Sequence, residues 1–242
     1  MNLFPSRIPF FPIWPAWVEL DGIKVPLRKL PLDARTRRRL MRGSYEPAER
    51  DLVEAFIRPG DHILELGPSV GIVSCFLARR AGPQGRLVCV EADARLKRPF
   101  EEQMAANGVE AEWVNALCCP LWQETVPASA AMQAFQPGAR SLSGRAVIRG
   151  APDSSGPVWM TAQALCQRSQ LAPSALVADI EGAEAIWAEH APMLPHSVHT
   201  VIAEFHPKIS GSRMAGQAIQ AIVDEGFSIV GLRQSVVAFK RK

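Results

Sequence analysis

Apolar and polar residues alternate regularly from residue 62 to the end of the chain. Short apolar runs are separated by amphipathic segments of helical length. The predicted strands are HILEL, RLVCVEAD, AEWVNAL, SALVADI and HTVIAEF, and the predicted helices are IVSCFLARRA, RPFEEQMAANG, TAQALCQRSQ, AEAIWAEHAPML and RMAGQAIQAIVDEG. This rhythm predicts βαβ units in an α/β protein with a mostly parallel sheet. The last two apolar runs, FSIVGL and SVVAFK, predict an antiparallel pair that closes the chain.

Two segments depart from this rhythm. In the first, WVELDGIKVPL predicts a hairpin that turns at Asp21-Gly22, and the following segment predicts a helix interrupted near Gly43. We expect residues 1–45 to form an arm, hairpin and helix that cap the same domain as residues 46–242. The second, at about residues 120–160, is rich in Pro, Gly, Ser and Ala, and it predicts an irregular insertion or a short hairpin.

The first twenty residues are apolar and aromatic, but prolines interrupt them at Pro5, Pro9, Pro12 and Pro15. Prolines at this density prevent a continuous helix, which argues against a membrane span and against the apolar segment of a signal peptide. We expect an extended arm that packs on the domain or on a partner subunit. An exposed FFPIWPAW segment would be an unusual apolar patch on a monomer, so a homo-oligomer is one expectation.

Composition narrows the class of protein. The chain has 242 residues, 48% of them hydrophobic, which suits one α/β domain with a sizeable core. Its net charge of +3 is small, so we expect no nucleic-acid partner. The five cysteines show no C-x-x-C pair or metal-ligand spacing, which favours reduced, buried thiols in a cytoplasmic protein.

One predicted helix carries a group of arginines. Two interpretations stay open for them: a solvated helix face, or a site for an anionic substrate. The group consists of Arg35, Arg37, Arg38, Arg39 and Arg42.

The turn ELGPSVG follows the first strand of the alternating region. Ligands of open α/β sheets bind at the carboxyl ends of the strands. Gly67 lets the chain turn sharply off the strand, and Gly71 lets the following helix pack closely with its N–H groups toward a ligand. Glu91 ends the next strand, where a carboxylate can accept hydrogen bonds from both hydroxyls of a ribose.

Two classes of cofactor use such a turn. A dinucleotide fingerprint needs glycines at positions 67, 69 and 72, and this chain has only the first. The methyltransferase turn needs an acidic residue followed by three alternating glycines, and here Glu65, Gly67 and Gly71 match while Ser69 replaces the middle glycine. S-adenosylmethionine has no phosphate and tolerates a small side chain there. The spacing therefore favours S-adenosylmethionine, with a nicotinamide-dependent oxidoreductase and a non-catalytic binding module as alternatives.

Several segments together resemble an FkbM-type S-adenosylmethionine-dependent methyltransferase. They are GSYEPAERDLVEAFIRPGDHILELGPSVGIVSCFLARRAGPQGRLVCVEAD, VNAL, ALVADIEGAE and VIAEFHP, within residues 40–118 and 158–206. The resemblance implies a Rossmann-like, class I methyltransferase fold whose seven-stranded sheet ends in an antiparallel strand and carries helices on both faces. It also implies O-methylation of a hydroxyl on a small molecule or glycan.

The resemblance assigns roles to residues of the first half of the chain. Glu91 would hold the ribose, Asn115 would lie near the adenine, and Tyr45 with Glu46 would lie close to the cofactor carboxylate or the substrate. The methionine side of S-adenosylmethionine would be lined by Glu65, Gly67, Ser69 and Gly71. The pair Pro68-Ser69 departs from the family pattern, which leaves the local backbone path open.

A group of acidic residues follows the fourth and fifth parallel strands. Asp179 and Glu204 should open onto one crevice because neighbouring strands lie about 5 Å apart, and His206 is within reach. Either Asp179 or His206 removes the proton of the acceptor hydroxyl, or Asp179 and Glu204, with Glu181, hold a cation such as Mg²⁺ that lowers its pKa. Glu184 suits the first turn of the next helix, and Asp179 could instead cap that helix.

Overall fold

The computed structural model describes residues 14–128 and 157–242, together with the backbone of two strands between them. Most of the N-terminal arm and most of the predicted insertion therefore lie outside the described residues. The prediction that the arm joins two subunits falls largely on residues 1–13 and stays a prediction.

The described strands and helices follow the predicted order closely. The strands are β1 Val18–Leu20, β2 Ile23–Val25, β3 His62–Leu66, β4 Arg86–Glu91, β5 Glu112–Asn115, β6 Leu117–Cys119, β7 Gln133–Gln136, β8 Arg145–Ile148, β9 Trp159–Thr161, β10 Ala175–Ala178, β11 Thr200–Glu204, β12 Phe227–Arg233 and β13 Val236–Arg241. The α-helices are α1 Ala34–Met41, α2 Pro47–Phe56, α3 Ile72–Ala81, α4 Lys97–Asn107, α5 Ala162–Arg168, α6 Pro207–Ser210 and α7 Ser212–Asp224. Two 3₁₀ helices span Ala94–Leu96 and Ala183–Ala188.

The central sheet has seven strands in the order β12-β13-β11-β10-β3-β4-β5. Strands β3, β4, β5, β10 and β11 are parallel, and β13 is antiparallel to both of its neighbours. The expected mostly parallel sheet with an antiparallel last strand is therefore confirmed. Because the chain reverses its strand order between β3 and β10, the carboxyl ends of these two strands flank a switch point.

Alternate residues of each central strand face opposite sides of the sheet, and each side has its own core. Ile63 and Cys89 pack on one face with the β1–β2 hairpin, α2, α3 and α4. Leu64 and Val88 pack on the other face with α5, Trp187 and α7. The predicted helical layers on both faces are confirmed, and burial on both sides explains why these strands are continuously apolar.

The N-terminal hairpin turns at Asp21-Gly22, as predicted, with both residues at positive φ. Its apolar residues belong to the same core as β3 and α3, so the hairpin covers that face of the sheet. Helix α1 begins at Asp33, whose carboxylate accepts the N–H of Thr36 at 2.7 Å.

The segment between β5 and α5 contains two short strand pairs. Strands β7 and β8 pair antiparallel, which agrees with the hairpin interpretation of the insertion. Strands β6 and β9 pair parallel and bring the two ends of the insertion together. The sequence did not predict β6 or β9, because each strand has only three residues.

The helix predicted from AEAIWAEHAPML is wrong. Only Ala183–Ala188 is helical, as a 3₁₀ helix, and the chain then passes through Pro192 and Pro195. Prolines cannot donate the hydrogen bonds that an α-helix would need there. Trp187 fixes the short helix by donating its indole N–H to the Pro120 carbonyl at 2.6 Å.

All five cysteines are unpaired and buried, as expected. Among the described residues, every helix falls short of the length and apolar character that a membrane span requires.

Candidate active site

A cavity of about 410 Å³ opens at the carboxyl ends of β3, β4 and β10. The turn after β3 and Glu91 form one wall, and residues 179–181 form another. The start of α2 and residues of α1 close the remaining side. Its volume lies in the usual range of small-molecule sites, and its position is the one that open α/β sheets use for ligands.

The turn after β3 is glycine-dependent at its first position. Gly67 has φ +82°, and a Cβ there would lie 1.8 Å from the carbonyl oxygen of Asp179. The amide of Asp179 also donates to the Leu66 carbonyl at 2.9 Å. The backbone after β3 and the backbone after β10 are therefore in direct contact, and only glycine allows it.

Ser69 stands where the methyltransferase turn has its middle glycine, and it adopts φ +52°. The serine therefore has the left-handed backbone conformation that glycine adopts readily. Gly71 begins α3 at φ +83°, where a Cβ would lie 2.6 Å from Met104 and 2.7 Å from Phe100. It lets α3 pack closely on α4.

Glu91 lies opposite this turn, at the end of β4. Its carboxylate accepts the backbone N–H groups of Ser69 at 3.1 Å and Asp93 at 2.8 Å. Burial raises the pKa of Glu91 to about 7, although the two backbone hydrogen bonds lower it in part. The carboxylate is thus fixed in place and keeps lone pairs for further donors.

Glu65, on β3, is buried beneath the same turn. The thiol of Cys89 donates to its carboxylate at 3.0 Å. Burial raises the pKa of Glu65 to about 7, and the hydrogen bonds of its neighbours offset part of that effect. Glu65 therefore supports the turn from inside the domain while one side of it reaches the cavity wall.

Tyr45 and Asn115 occupy different positions relative to the cavity. Tyr45 lines it, and the guanidinium of Arg39 lies 5.6 Å from its ring centroid. Burial, together with the charges of neighbouring carboxylates, holds the pKa of Tyr45 well above its usual value. The Asn115 amide instead donates to the carbonyls of Glu91 and Ala92, and the adjacent Ala116 lines the cavity in its place.

Asp179, Glu181 and His206 form one polar group on the wall opposite the turn. His206 Nε2 lies 3.4 Å from Asp179 Oδ1 and 3.7 Å from Glu181 Oε2. Ligand atoms of the three residues all lie within 4.8 Å of one another. The sequence expectation that His206 comes within reach of Asp179 agrees with this geometry.

Glu184 holds His206 in place. Its carboxylate accepts the backbone N–H of His206 at 2.7 Å and lies 3.0 Å from His206 Nδ1. It also accepts the N–H of Gly182 at 2.9 Å. With 1% of its surface exposed, Glu184 is a buried anchor for the histidine. The sequence placed Glu184 only at a helix start and missed this role.

The charges in this group determine its protonation. Burial lowers the pKa of His206, but the hydrogen bond and charge of Glu184 with the charges of Asp179 and Glu204 outweigh it and raise the pKa to about 9. Burial, with the charge of Glu204, raises the pKa of Asp179 well above its usual value. The carboxylates around His206 therefore favour its protonated form, and the raised pKa makes Asp179 a stronger proton acceptor than an ordinary aspartate.

Glu204 belongs to a second acidic group, formed with Glu46 and Glu49. Their ligand oxygens also lie within 4.8 Å of one another. The hydroxyl of Ser235 donates to Glu204 at 2.6 Å, which orients this carboxylate at the end of β11. The expected pair of Asp179 and Glu204 is thus divided between two neighbouring groups.

Most of the predicted site residues reach the cavity. Four do not line it: Gly71, Asn115, Glu204 and His206. The sequence missed Glu49, although the spacing Glu46-Pro-Ala-Glu49 places two carboxylates on one side of the first turn of α2.

Comparisons with known proteins give matches in structure alone: no protein-family model and no curated protein matches the chain. Fibrillarin from Aeropyrum pernix, solved with natively bound S-adenosyl-L-methionine, is 14% identical with a TM-score of 0.43 over 79% of this chain and 71% of that one. A TehB-like methyltransferase from Corynebacterium glutamicum is 13% identical, with a TM-score of 0.47, and the match covers 86% of this chain and 95% of that one. TrmN from Thermus thermophilus is 10% identical, with a TM-score of 0.43, and the match covers 80% of this chain and 48% of that one.

These likenesses concern the fold, and the resemblance to FkbM-type enzymes rests on sequence motifs. Five parallel strands, a switch point between β3 and β10, and an antiparallel last strand inserted beside β11 define the architecture. The described residues have a Rossmann-like α/β fold with a seven-stranded, mostly parallel sheet.

Proposed function

We propose that the protein is an S-adenosylmethionine-dependent methyltransferase that methylates a hydroxyl of a small molecule or glycan. The observation that carries the proposal is the arrangement of the cavity. A left-handed Gly67–Ser69 turn faces the fixed carboxylate of Glu91, and Asp179 lies on the opposite wall. The side formed by the turn and Glu91 suits a methyl-donor cofactor, and the Asp179 side suits an acceptor group that loses a proton.

Charge favours a cationic cofactor over a dinucleotide. Carboxylates of Glu65, Glu91 and Asp179 surround the turn and would repel a pyrophosphate. Two backbone N–H groups of the turn are already occupied: Ser69 N–H donates to the Glu91 carboxylate, and Gly71 N–H donates to the Pro68 carbonyl. A pyrophosphate needs such N–H groups free at the helix start, whereas a sulfonium cation needs none.

The residues present fit S-adenosylmethionine. Glu91 would accept the ribose hydroxyls, and the Gly67–Ser69 backbone, which lines the cavity, would contact the methionine portion. When bound, S-adenosylmethionine supplies an electrophilic methyl group. Arg35, which lines the cavity from α1, offers a positive charge for a carboxylate.

The acceptor side suits removal of a proton from a hydroxyl. Asp179 lines the cavity, and its buried Oδ1 makes no hydrogen bond, with His206 Nε2 at 3.4 Å as its ion-pair partner. His206 faces carboxylates at both ring nitrogens, which favours its protonated form, so we assign the base to Asp179. The acceptor hydroxyl would pass its proton to Asp179 as its oxygen takes the methyl group, with the thioether S-adenosylhomocysteine as the leaving group. His206 holds Asp179 in place and balances its charge. The resemblance to FkbM-type enzymes supports a hydroxyl acceptor.

The first test measures cofactor binding by calorimetry. We expect S-adenosylmethionine and S-adenosylhomocysteine to bind the full chain, and NAD to show no binding. Glu91→Ala should weaken both affinities by about 2 kcal/mol, because it removes charge-assisted hydrogen bonds. Glu54→Gln is the matched control, since its side chain is 68% exposed and lies on the far side of α2. Absence of S-adenosylmethionine binding at millimolar concentration would overturn the proposal.

The second test concerns the acceptor. Transfer of a labelled methyl group should reach hydroxylated small molecules or glycans, and Asp179→Asn should abolish transfer while cofactor affinity stays within about twofold. Transfer to RNA alone would show that the acceptor class is wrong. Full activity of Asp179→Asn would remove Asp179 as the base.

A further inference from the structure

The second acidic group has a property that the proposed methyl transfer does not explain. Glu46 immediately precedes α2, Glu49 lies in its first turn, and Glu204 lies at the end of β11. Only 6% of Glu49 is exposed, and its buried Oε2 has no hydrogen-bond partner. A buried carboxylate oxygen without a partner is costly, so it indicates a ligand that the three carboxylates share.

Among the described residues, the neighbouring cations balance only part of the negative charge of this group. Arg39 Nη1 contacts Glu46 Oε1 at 3.2 Å, and Ser235 donates to Glu204. Asp179 and Glu181 lie close enough to add further negative charge, and His206 compensates only part of it. Burial and the charges of Asp179, Glu46 and Glu204 raise the pKa of Glu49 well above its usual value. A positive charge bound between the carboxylates would remove this repulsion.

The dimensions suit a metal ion. Two oxygens bound to one ion are separated by at most twice the metal–oxygen distance, which is about 4.2 Å for Mg²⁺ and up to about 5 Å for Ca²⁺. The ligand oxygens of Glu46, Glu49 and Glu204 lie within 4.8 Å of one another, so small side-chain rotations bring all three onto one ion. Three carboxylates and no sulfur or nitrogen select a hard cation.

We propose that Glu46, Glu49 and Glu204 bind a hard divalent cation in the wall of the cavity. This assignment deepens the proposed function, on which its catalytic meaning rests. Glu46 and Glu49 both reach the cavity, so open coordination positions of the ion would face the acceptor. A hydroxyl oxygen bound there would be oriented toward the Asp179 side and would lose its proton more readily. The site differs from the Asp179–Glu204 pair that the sequence suggested, because Glu49 replaces Asp179.

The test uses Mn²⁺ alone as a paramagnetic probe, with the full chain stripped of metal and free of S-adenosylmethionine. We expect one saturable Mn²⁺ site per chain by electron paramagnetic resonance, with competition by Mg²⁺ or Ca²⁺. Glu49→Gln and Glu204→Gln should each weaken Mn²⁺ binding more than about tenfold. Glu54→Gln, on the exposed side of the same helix, should bind as the wild type does.

A folding control keeps the result clear. Without metal, Glu49→Gln should melt at or above the wild-type temperature, because an uncharged side chain relieves the repulsion. Mn²⁺ should raise the melting temperature of the wild type and leave that of Glu49→Gln unchanged. The proposed cation site would be overturned if the wild type did not bind Mn²⁺, or if Glu49→Gln bound it equally well. In that case a proton shared by Glu49 and Glu46, and not a metal ion, would relieve the repulsion.

Two further outcomes locate any cation found. If His206→Asn abolishes Mn²⁺ binding while Glu49→Gln does not, the cation lies at the Asp179–Glu181–His206 group and this assignment is wrong. If Glu49→Gln lowers S-adenosylmethionine affinity in the presence of a chelator, the carboxylates hold the donor directly and the assignment is also wrong. A chain that binds Mn²⁺ but not S-adenosylmethionine keeps the cation site and overturns the proposed function.

Discussion

At the scale of single residues, Gly67 determines whether the site can form. Its missing side chain lets the turn after β3 touch the Asp179 carbonyl, where a Cβ would lie 1.8 Å away. Gly67→Ala should lower the free energy of unfolding by more than about 3 kcal/mol, because the ends of β3 and β10 must separate. Urea denaturation measures the change.

Gly108→Ala provides the matched control for that substitution. Gly108 also has a left-handed backbone, with φ +62°, but a Cβ there meets nothing within 4 Å. It should therefore cost only the conformational penalty of about 1 to 2 kcal/mol. Equal costs for the two variants would show that the contact with Asp179 is unimportant.

The predictability of individual residues followed their dependence on local sequence. Gly67, Ser69 and Glu91 could be placed beside one cavity because a turn and the end of a strand fix them within a short segment. Glu49 and Glu184 could not, because their partners are distant in sequence: Glu49 meets Glu204, and Glu184 meets His206. No local pattern distinguishes such a carboxylate from an ordinary helix residue.

At the scale of elements, Glu184 ties the Ala183–Ala188 3₁₀ helix to the end of β11. Its carboxylate accepts two backbone N–H groups, from Gly182 and His206, and contacts His206 Nδ1. Glutamine has a single acceptor oxygen, so Glu184→Gln leaves a buried donor unsatisfied. We expect a loss of about 2 kcal/mol in the free energy of unfolding.

Glu189→Gln, at the exposed end of the same 3₁₀ helix, should stay within about 0.5 kcal/mol of wild type. Chemical denaturation compares the two variants, and the amide resonance of His206 should move only in Glu184→Gln. Indistinguishable stabilities would mean that the 3₁₀ helix and β11 are held together by other contacts.

Helices and strands whose apolar residues recur at a regular spacing were predicted well, and irregular elements were not. The strands of the central sheet are buried on both faces, so their apolar runs stand out from the helices between them. The 3₁₀ helix was mistaken for a long α-helix because its apolar spacing is helical up to Trp187, while the later prolines and the Trp187–Pro120 hydrogen bond decide its end. Strands β6 and β9 pair only with each other in the described sheets, and neither has an alternating sequence pattern that would predict it.

At the scale of the whole molecule, buried carboxylates make stability depend on pH in an unusual direction. Burial raises the pKa of both Glu65 and Glu91 to about 7 from an ordinary 4.5. The folded protein therefore holds more protons than the unfolded chain between these values, and stability falls as pH rises through them. Each group can contribute on the order of 3 kcal/mol.

We expect the melting temperature of the protein, free of metal and cofactor, to fall between pH 5 and pH 8. Glu65→Gln should flatten this decline because it removes one ionisation, whereas Glu101→Gln, an exposed change on α4, should not. Scanning calorimetry across the pH range checks both. A melting temperature that rises steadily from pH 5 to pH 8 would contradict the expectation.

The contact between Gly67 and the Asp179 carbonyl has a consequence for redesign. It joins the two walls of the cavity at the backbone, so neither can be shifted without moving the other. Attempts to change which molecule the cavity binds should therefore leave this junction untouched and vary α1, whose residues Arg35, Thr36 and Arg39 line the cavity.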